Sequence, residues 1–346
     1  MIKKRFWLVA LGFLAFFSPQ AMAQQFLGEN WETDFSNTII DLSEIISVIG
    51  PDQIPANDNP TFKPASEETS IPGNEPVVAL EINGVSRAYP LRYLMWHEIV
   101  NDTIGGLPVA VTFCPLCNTS LVFERTLDGE AVTFGTTGKL RWSNLIMYDR
   151  KEQNWWQQYN GEALVGKRAG EKLRPIPSFL ISFDIFRERY PNGEVLLADP
   201  SRERLSGTNP YVAYDSNPIP FLFNGQLPKD IEPMMRVALV DENLVEGLDQ
   251  SYAVTLPYLE QNAPFSIGPL EFRWSEGQSS ALDQRRITDG RDVGNIEVYR
   301  TDRDEPELVV YLVTFAFSAR SYLPDLEFIQ LDPDAPVNTV LHPDSS

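Results

Sequence analysis

The order of apolar and polar positions along the chain reads as strands and turns. Residues 77–82 form an apolar run (Val77, Val78, Ala79, Leu80, Ile82), Asn83-Gly84 follows, and a second run covers residues 85–91. Two short runs joined by Asn-Gly predict a β-hairpin, because that pair tolerates the left-handed backbone of a type I′ turn. Residues 107–113 form another apolar run, which ends at Cys114. Residues 121–126, Asp128-Gly129 and residues 131–134 predict a second hairpin by the same logic. Asn192-Gly193 and Asn224-Gly225 mark further turns. Helical spacing is scarce. Residues 91–100 place Leu91, Leu94, Met95 and Ile99 on one face, and residues 181–190 stop at Pro191, which cannot continue a helix. Residues 24–75 carry Pro51, Pro55, Pro60, Pro64 and Pro72 with little periodicity, so they read as a lead-in draped over the core.

Part of this pattern returns later. Ala88-Tyr89-Pro90-Leu91-Arg92-Tyr93-Leu94 agrees with Ala253-Val254-Thr255-Leu256-Pro257-Tyr258-Leu259 at four of seven positions. Upstream, Glu75-Pro76 with Val78-Ala79-Leu80 echoes Glu232-Pro233 with Val237-Ala238-Leu239. Downstream, Phe183, Arg189, Tyr190 and Pro191 echo Phe315, Arg320, Tyr322 and Pro324. Three blocks in one order point to an internal duplication. The expected fold is therefore α+β and mainly β, built of two related β-rich units with a few short helices. The divisions expected are a signal peptide at 1–23, a lead-in at 24–74, a first unit at 75–200, a connector at 201–224, a degenerate second unit at 225–335 and a tail at 336–346. Gly277-Gln278-Ser279-Ser280 stands near the place where the second unit would carry the cysteine hairpin, so any chemistry is expected in the first unit.

The N-terminus changes the compartment. Lys3, Lys4 and Arg5 precede a 12-residue apolar run, Phe6 to Phe17, and Ala21-Met22-Ala23 offers an A-x-A cleavage site. This is the three-part pattern of a secretory signal peptide. The run is shorter than the roughly 20 residues that span a bilayer, and no later segment is apolar enough to span after cleavage. The expectation is an exported protein in a bacterial periplasm or outside the cell, where disulfides persist.

Composition and charge then remove function classes. The 346 residues are 43% apolar and 22% charged, which excludes collagen, coiled coil and wholesale disorder. The 27 prolines favour a loop-rich, β-rich chain over a helical bundle. With 28 basic and 48 acidic residues the net charge is −20, and a phosphate backbone would be repelled, so nucleic acid is not an expected partner. Two Cys and two His exclude a multi-cysteine scaffold, a four-cysteine zinc finger and an iron–sulfur cluster held by this chain alone.

Cys114-Pro115-Leu116-Cys117 is the sharpest chemical feature. A C-x-x-C turn aims two sulfurs at one point, which suits a tight disulfide, a redox-active dithiol or two ligands of one metal. A bridge across so short a loop adds little stability through loop entropy. A zinc or copper site needs further ligands, and His97 is the histidine of the same unit, with Glu98, Asp102 or Glu124 as oxygen donors. A redox C-x-x-C usually opens a helix, whose N-terminus lowers the thiol pKa, whereas residues 118–125 read as a strand.

Other features admit bland readings beside functional ones. Trp142, Tyr148, Trp155, Trp156 and Tyr159 read as β-domain core or as a stacking surface. Residues 135–139 read as a turn or an anion nest, and Lys167, Arg168, Lys172 and Arg174 as a solvated face or an anion patch. No G-x-S-x-G, P-loop or dinucleotide fingerprint is present. An acid–base enzyme using Asp149 or Glu162 lacks a visible partner carboxylate.

An ordered set of segments carries a family resemblance. It runs through Ala88-Tyr89-Pro90-Leu91, Trp96-His97-Glu98-Ile99-Val100-Asn101-Asp102 and Val111-Thr112-Phe113-Cys114-Pro115-Leu116-Cys117-Asn118. It continues through Phe134-Gly135, Gly138, Ser143-Asn144-Leu145, Met147-Tyr148-Asp149-Arg150, Trp155-Trp156-Gln157-Gln158 and Gly161-Glu162-Ala163. This set resembles the domain-of-unknown-function 3179 family, most closely over about residues 75–200. More weakly, the resemblance reaches Asn209-Pro210-Tyr211, Tyr214-Asp215 and the second unit. It singles out His97, Cys114, Cys117, Asp149 and Trp156, with Asp102 inside the same motif, and implies positions without roles. The reading at this stage is an exported metal-binding or thiol-redox protein using Cys114, Cys117 and His97. The alternative is a binding module with a structural disulfide and an aromatic ligand surface, acting on a small molecule or a protein.

Overall fold

Each predicted turn pair has the backbone its residues favour. In the computed structural model, which describes residues 30–331, Asn83 and Gly84 have φ of 52° and 78° and join strands Pro76–Ile82 and Val85–Pro90. The segment expected to be a signal peptide, 1–23, and His342 with the expected tail at 336–346 lie outside the described residues. Asp128 and Gly129 (51° and 78°) also form a tight turn, but the ladder they close is only Thr126–Leu127 against Glu130–Ala131. The flanking strands part company: Thr119–Glu124 pairs with Leu107–Cys114, and Phe134–Arg141 pairs with Asn144–Asp149.

The helices are shorter than their periodicity suggests. The first is Leu91–His97, and Glu98 leaves it in a left-handed conformation with φ 59°. β-branched Ile99 and Val100 then pair with Thr112 and Val111 in strand Ile99–Ile104, where burial outweighs the helical spacing. The second is Phe183–Arg189, because Ile181 and Ser182 belong to strand Phe179–Ser182. Two further helices, Leu256–Asn262 and Ala316–Tyr322, follow strands Tyr252–Thr255 and Leu312–Phe315.

Strands occupy 37% and helices 14%, so the chain is mainly β. A five-stranded sheet has the order Ile45–Ser47, Phe134–Arg141, Asn144–Asp149, Trp155–Gln157, Ala163–Val165. A four-stranded sheet has the order Pro175–Ile176, Thr119–Glu124, Leu107–Cys114, Ile99–Ile104. Within the largest sheet, four neighbours run Phe179–Ser182, Pro76–Ile82, Val85–Pro90, Glu194–Leu196. Their pairings are antiparallel, antiparallel and parallel. Another sheet runs Leu312–Phe315, Arg236–Val240, Tyr252–Thr255, Phe328–Ile329, with the same three pairing senses. In both sets a helix follows the first and the third strand of that order.

One buried core runs through both halves of the chain, from Ala65 to Ile329. A smaller cluster joins the lead-in to the five-stranded sheet. There Trp31 and Phe35 meet Trp155 edge to face, each with ring centres 5.2 Å apart.

Candidate functional site

The cysteine turn closes the hairpin between strands Leu107–Cys114 and Thr119–Glu124, with Cys114 opposite Thr119. Asn118, at φ 54°, returns its N–H to the carbonyl of Pro115 at 3.1 Å. Asn is among the residues that accept this backbone most readily. Three distant parts of the chain converge on the turn. The tight turn at Trp142 and Ser143 (φ 52° and 64°) brings its carbonyls to the sulfurs, Ser143 O at 3.5 Å from Cys114 Sγ and Trp142 O at 3.9 Å from Cys117 Sγ. The Tyr214 hydroxyl donates to Leu116 O at 2.9 Å. Asn118 Nδ2 donates to Val313 O at 2.8 Å, and Thr314 Oγ1 to Cys117 O at 2.9 Å. Both cysteines are free thiols and are 2% and 0% exposed.

The electrostatics favour the protonated form of Cys114. Burial pushes the Cys114 thiol well above its usual range, and the neighbouring Cys117 thiol, within hydrogen-bonding reach, adds to the effect. No helix begins at the turn, so the dipole that activates many C-x-x-C thiols is missing. Burial also pushes the Glu98 carboxyl up to about 8, with the Cys114 charge as its second cause. Four phenols complete the surroundings. Burial raises Tyr211, Tyr214, Tyr159 and Tyr322, and each feels the charge of Cys114, Cys117 or both. Tyr159 and Tyr322 stack with ring centres 3.9 Å apart.

A polar network lies behind the turn. Asn144 Nδ2 and Thr119 Oγ1 both donate to Gln158 Oε1 at 2.8 Å, Gln158 Nε2 donates to Thr112 Oγ1 at 2.9 Å, and Gln157 Nε2 donates to Asn144 Oδ1 at 2.6 Å. All five residues are unexposed. A buried network of this kind, in which only Gln157 Oε1 lacks a partner, favours one arrangement of the strands that carry it.

The other sequence candidates have separate places. His97 Nδ1 lies 2.8 Å from Pro55 O, and burial holds the imidazole below its usual pKa. The side chains whose charges act on it are Asp199 and Arg202, not the cysteines. Asp102 accepts from Arg87 at 2.7 Å, the Tyr89 hydroxyl at 2.6 Å and its neighbour's N–H. Asp149 is fully buried and holds Glu152 N, Asn154 N, Asn154 Nδ2 and Trp156 Nε1. Glu124 pairs with Arg174, and Arg168 with Asp128, Glu152 and Glu171, so the two arginines of the basic cluster are paired. Residues 135–139 lie within a strand whose Thr136 N–H is already bound to Asp52. Among the described residues no three His, Cys, Asp or Glu side chains gather as a metal centre needs. Trp155, Trp156 and Tyr159 are unexposed, so these aromatics are core and offer no stacking surface; Trp142 is part-exposed beneath Arg141.

The tyrosines are what sequence reasoning passed over. Tyr211 and Tyr214 sit in the weaker family segment, and Tyr322 in a repeat block, so position marked them while chemistry did not. Tyr322 also lines a cleft of about 770 Å³, together with Tyr252, Ile267 and Phe328.

Comparison with known proteins places the chain. The family described as Protein of unknown function (DUF3179) matches residues 51–324, most of the chain, and the chain belongs to it. No curated protein and no solved structure matches.

Proposed function

We propose that this member of the family is an exported thiol–disulfide redox protein whose working group is the Cys114–Cys117 pair. The observation that carries the reading is two thiols within reach of each other in one turn, held by elements from three distant parts of the chain. Burial favours S–H over thiolate at Cys114, which suits a pair cycling between dithiol and disulfide better than a thiolate metal centre. Among the described residues no three His, Cys, Asp or Glu side chains gather here, so a zinc or copper ion would find two sulfurs and no complete ligand set. The basic, apolar and A-x-A segments at residues 3–23 support export to an oxidising compartment.

The two four-stranded sets with identical pairing order support descent of residues 75–200 and 225–335 from one duplicated unit, with the chemistry kept in the first. A second functional reading, a binding module, draws on the cleft beside Tyr322.

Thiol counting, elemental analysis and equilibration with mixtures of reduced and oxidised glutathione test the redox reading. The expected result is metal-free protein with one reversible two-electron transition, lost in Cys114→Ser. Stoichiometric zinc or copper released only by Cys114→Ser, or no transition at any ratio, overturns it.

A further inference from the structure

We infer that Glu98 is the residue that takes the proton from Cys114 when the dithiol reacts. The inference rests on the redox reading above and adds the group that makes it workable. A dithiol must lose a proton before it attacks, because the thiolate is the nucleophile. The usual aid is a helix N-terminus, and here Cys114 ends one strand and the next begins at Thr119. Glu98 is placed to supply the aid. Its carbonyl accepts from Phe113 N–H at 2.8 Å, so its backbone is fixed opposite the residue that precedes Cys114. Its left-handed φ of 59° takes it out of both the helix before it and the strand after it. The residue is 9% exposed, and no described residue gives its carboxyl a hydrogen bond or an ion pair. Cys114 is the group whose charge acts on it, and the Tyr211 phenol feels both. A buried carboxyl without a partner costs stability, which fits a group kept for a task.

The step balances as follows. Glu98 accepts the Cys114 proton, directly or through one water, and the thiolate attacks one sulfur of a small disulfide, expelling a thiolate that takes up a proton. Cys117 then attacks the Cys114 sulfur of the mixed disulfide. The second thiolate leaves with the second proton, so one disulfide is reduced to two thiols while Cys114 and Cys117 are oxidised.

The test follows oxidation of reduced full-length protein by oxidised glutathione between about pH 6 and 10. The wild type is expected to show an inflection near pH 8 from the carboxyl, in addition to thiol ionisation. Glu98→Gln should lose that inflection and slow at least about tenfold at pH 8.5, and Glu98→Asp should restore it in part. Identical profiles for wild type and Glu98→Gln overturn the inference while the redox reading stands. Wild-type thiols that glutathione never oxidises overturn both. A second measurement needs no variant: in ¹³C-detected titrations of the wild type, the Glu98 carboxyl is expected to titrate lower once the disulfide has formed. An unchanged titration overturns the assignment.

Discussion

The indole N–H of Trp156 donates to Oδ2 of Asp149 at 2.9 Å, inside a turn where that carboxylate also gathers two backbone N–H groups and the Asn154 amide. A fully buried carboxylate that accepts four hydrogen bonds is committed to this turn. Its work is to hold strand Asn144–Asp149 against strand Trp155–Gln157, the two that present the Asn144–Gln158 network beneath the cysteines. Asp149→Ala is expected to cost about 3 kcal/mol or more, because several buried donors lose their acceptor together, and Trp156→Phe about 1–3 kcal/mol. Urea denaturation reads both. An Asp149→Asn protein of full stability that had lost a measured activity would return Asp149 to the list of reacting groups.

Buried carboxyls give the fold a pH signature. Burial raises Glu75 to about 7 and Glu98 to about 8, against an ordinary value of 4.5. For such groups the unfolded chain releases its protons first. Their contribution is complete below pH 4.5 and is lost as pH rises through 7 and then 8. His97 works in the opposite sense and only at lower pH, since its lowered pKa favours the unfolded chain once that chain takes up protons below about 6.5. Between about pH 6.5 and 8.5 the carboxyls therefore dominate this balance, and the melting temperature of wild type is expected to fall. Glu98→Gln should flatten the upper part of that fall. A wild-type melting temperature level or rising across this window contradicts the burial of both groups.

The Tyr214 hydroxyl is a clasp on the cysteine turn, donating to Leu116 O and accepting from Phe221 N–H at 3.3 Å. Tyr214→Phe keeps the ring and removes the clasp. The expected cost is about 1 kcal/mol, with a several-fold faster reaction of Cys114 with iodoacetamide in the folded protein. Mass-spectrometric labelling under native conditions gives the rate, and an unchanged rate means that the connector does not limit access.

His97→Ala separates packing from ligation. The imidazole is tied to Pro55 O, so the variant is expected to lose about 1–2 kcal/mol of stability and to keep the thiol count and the glutathione equilibrium of wild type. Loss of the redox transition in this variant, with the fold intact, would join His97 to the cysteines after all.

What the sequence made legible was local. Asn83-Gly84 and Asp128-Gly129 name their own backbone conformations, and the apolar run before Cys114 names its strand. Glu98 was visible only as a possible oxygen ligand, because its lack of partners depends on which side chains approach from elsewhere. The helix at residues 91–100 was read three residues too long, since the spacing of Ile99 suits either period and only pairing with Thr112 decides it. The short second hairpin was misjudged for the same reason: a turn pair specifies a turn, while the sheets that claim the flanking strands are chosen by long-range contact. Tyr211, Tyr214 and Tyr322 reach the cysteines from segments about 95 to 208 residues later in the chain, a distance over which periodicity carries no information.

The hydrogen bonds from Asn118 to Val313 and from Thr314 to Cys117 span 195 and 197 residues. A polypeptide is made from its N-terminus, so the cysteine turn exists long before the strand that caps it. During that interval the two sulfurs face whatever oxidants and thiols surround a half-finished chain, until strand Leu312–Phe315 completes their cover. A fragment ending at residue 224 is therefore expected to carry readily oxidised cysteines, and the same pair becomes slow to react once residues 312–315 have docked. The reactivity of two atoms thus reports whether the whole protein has been completed.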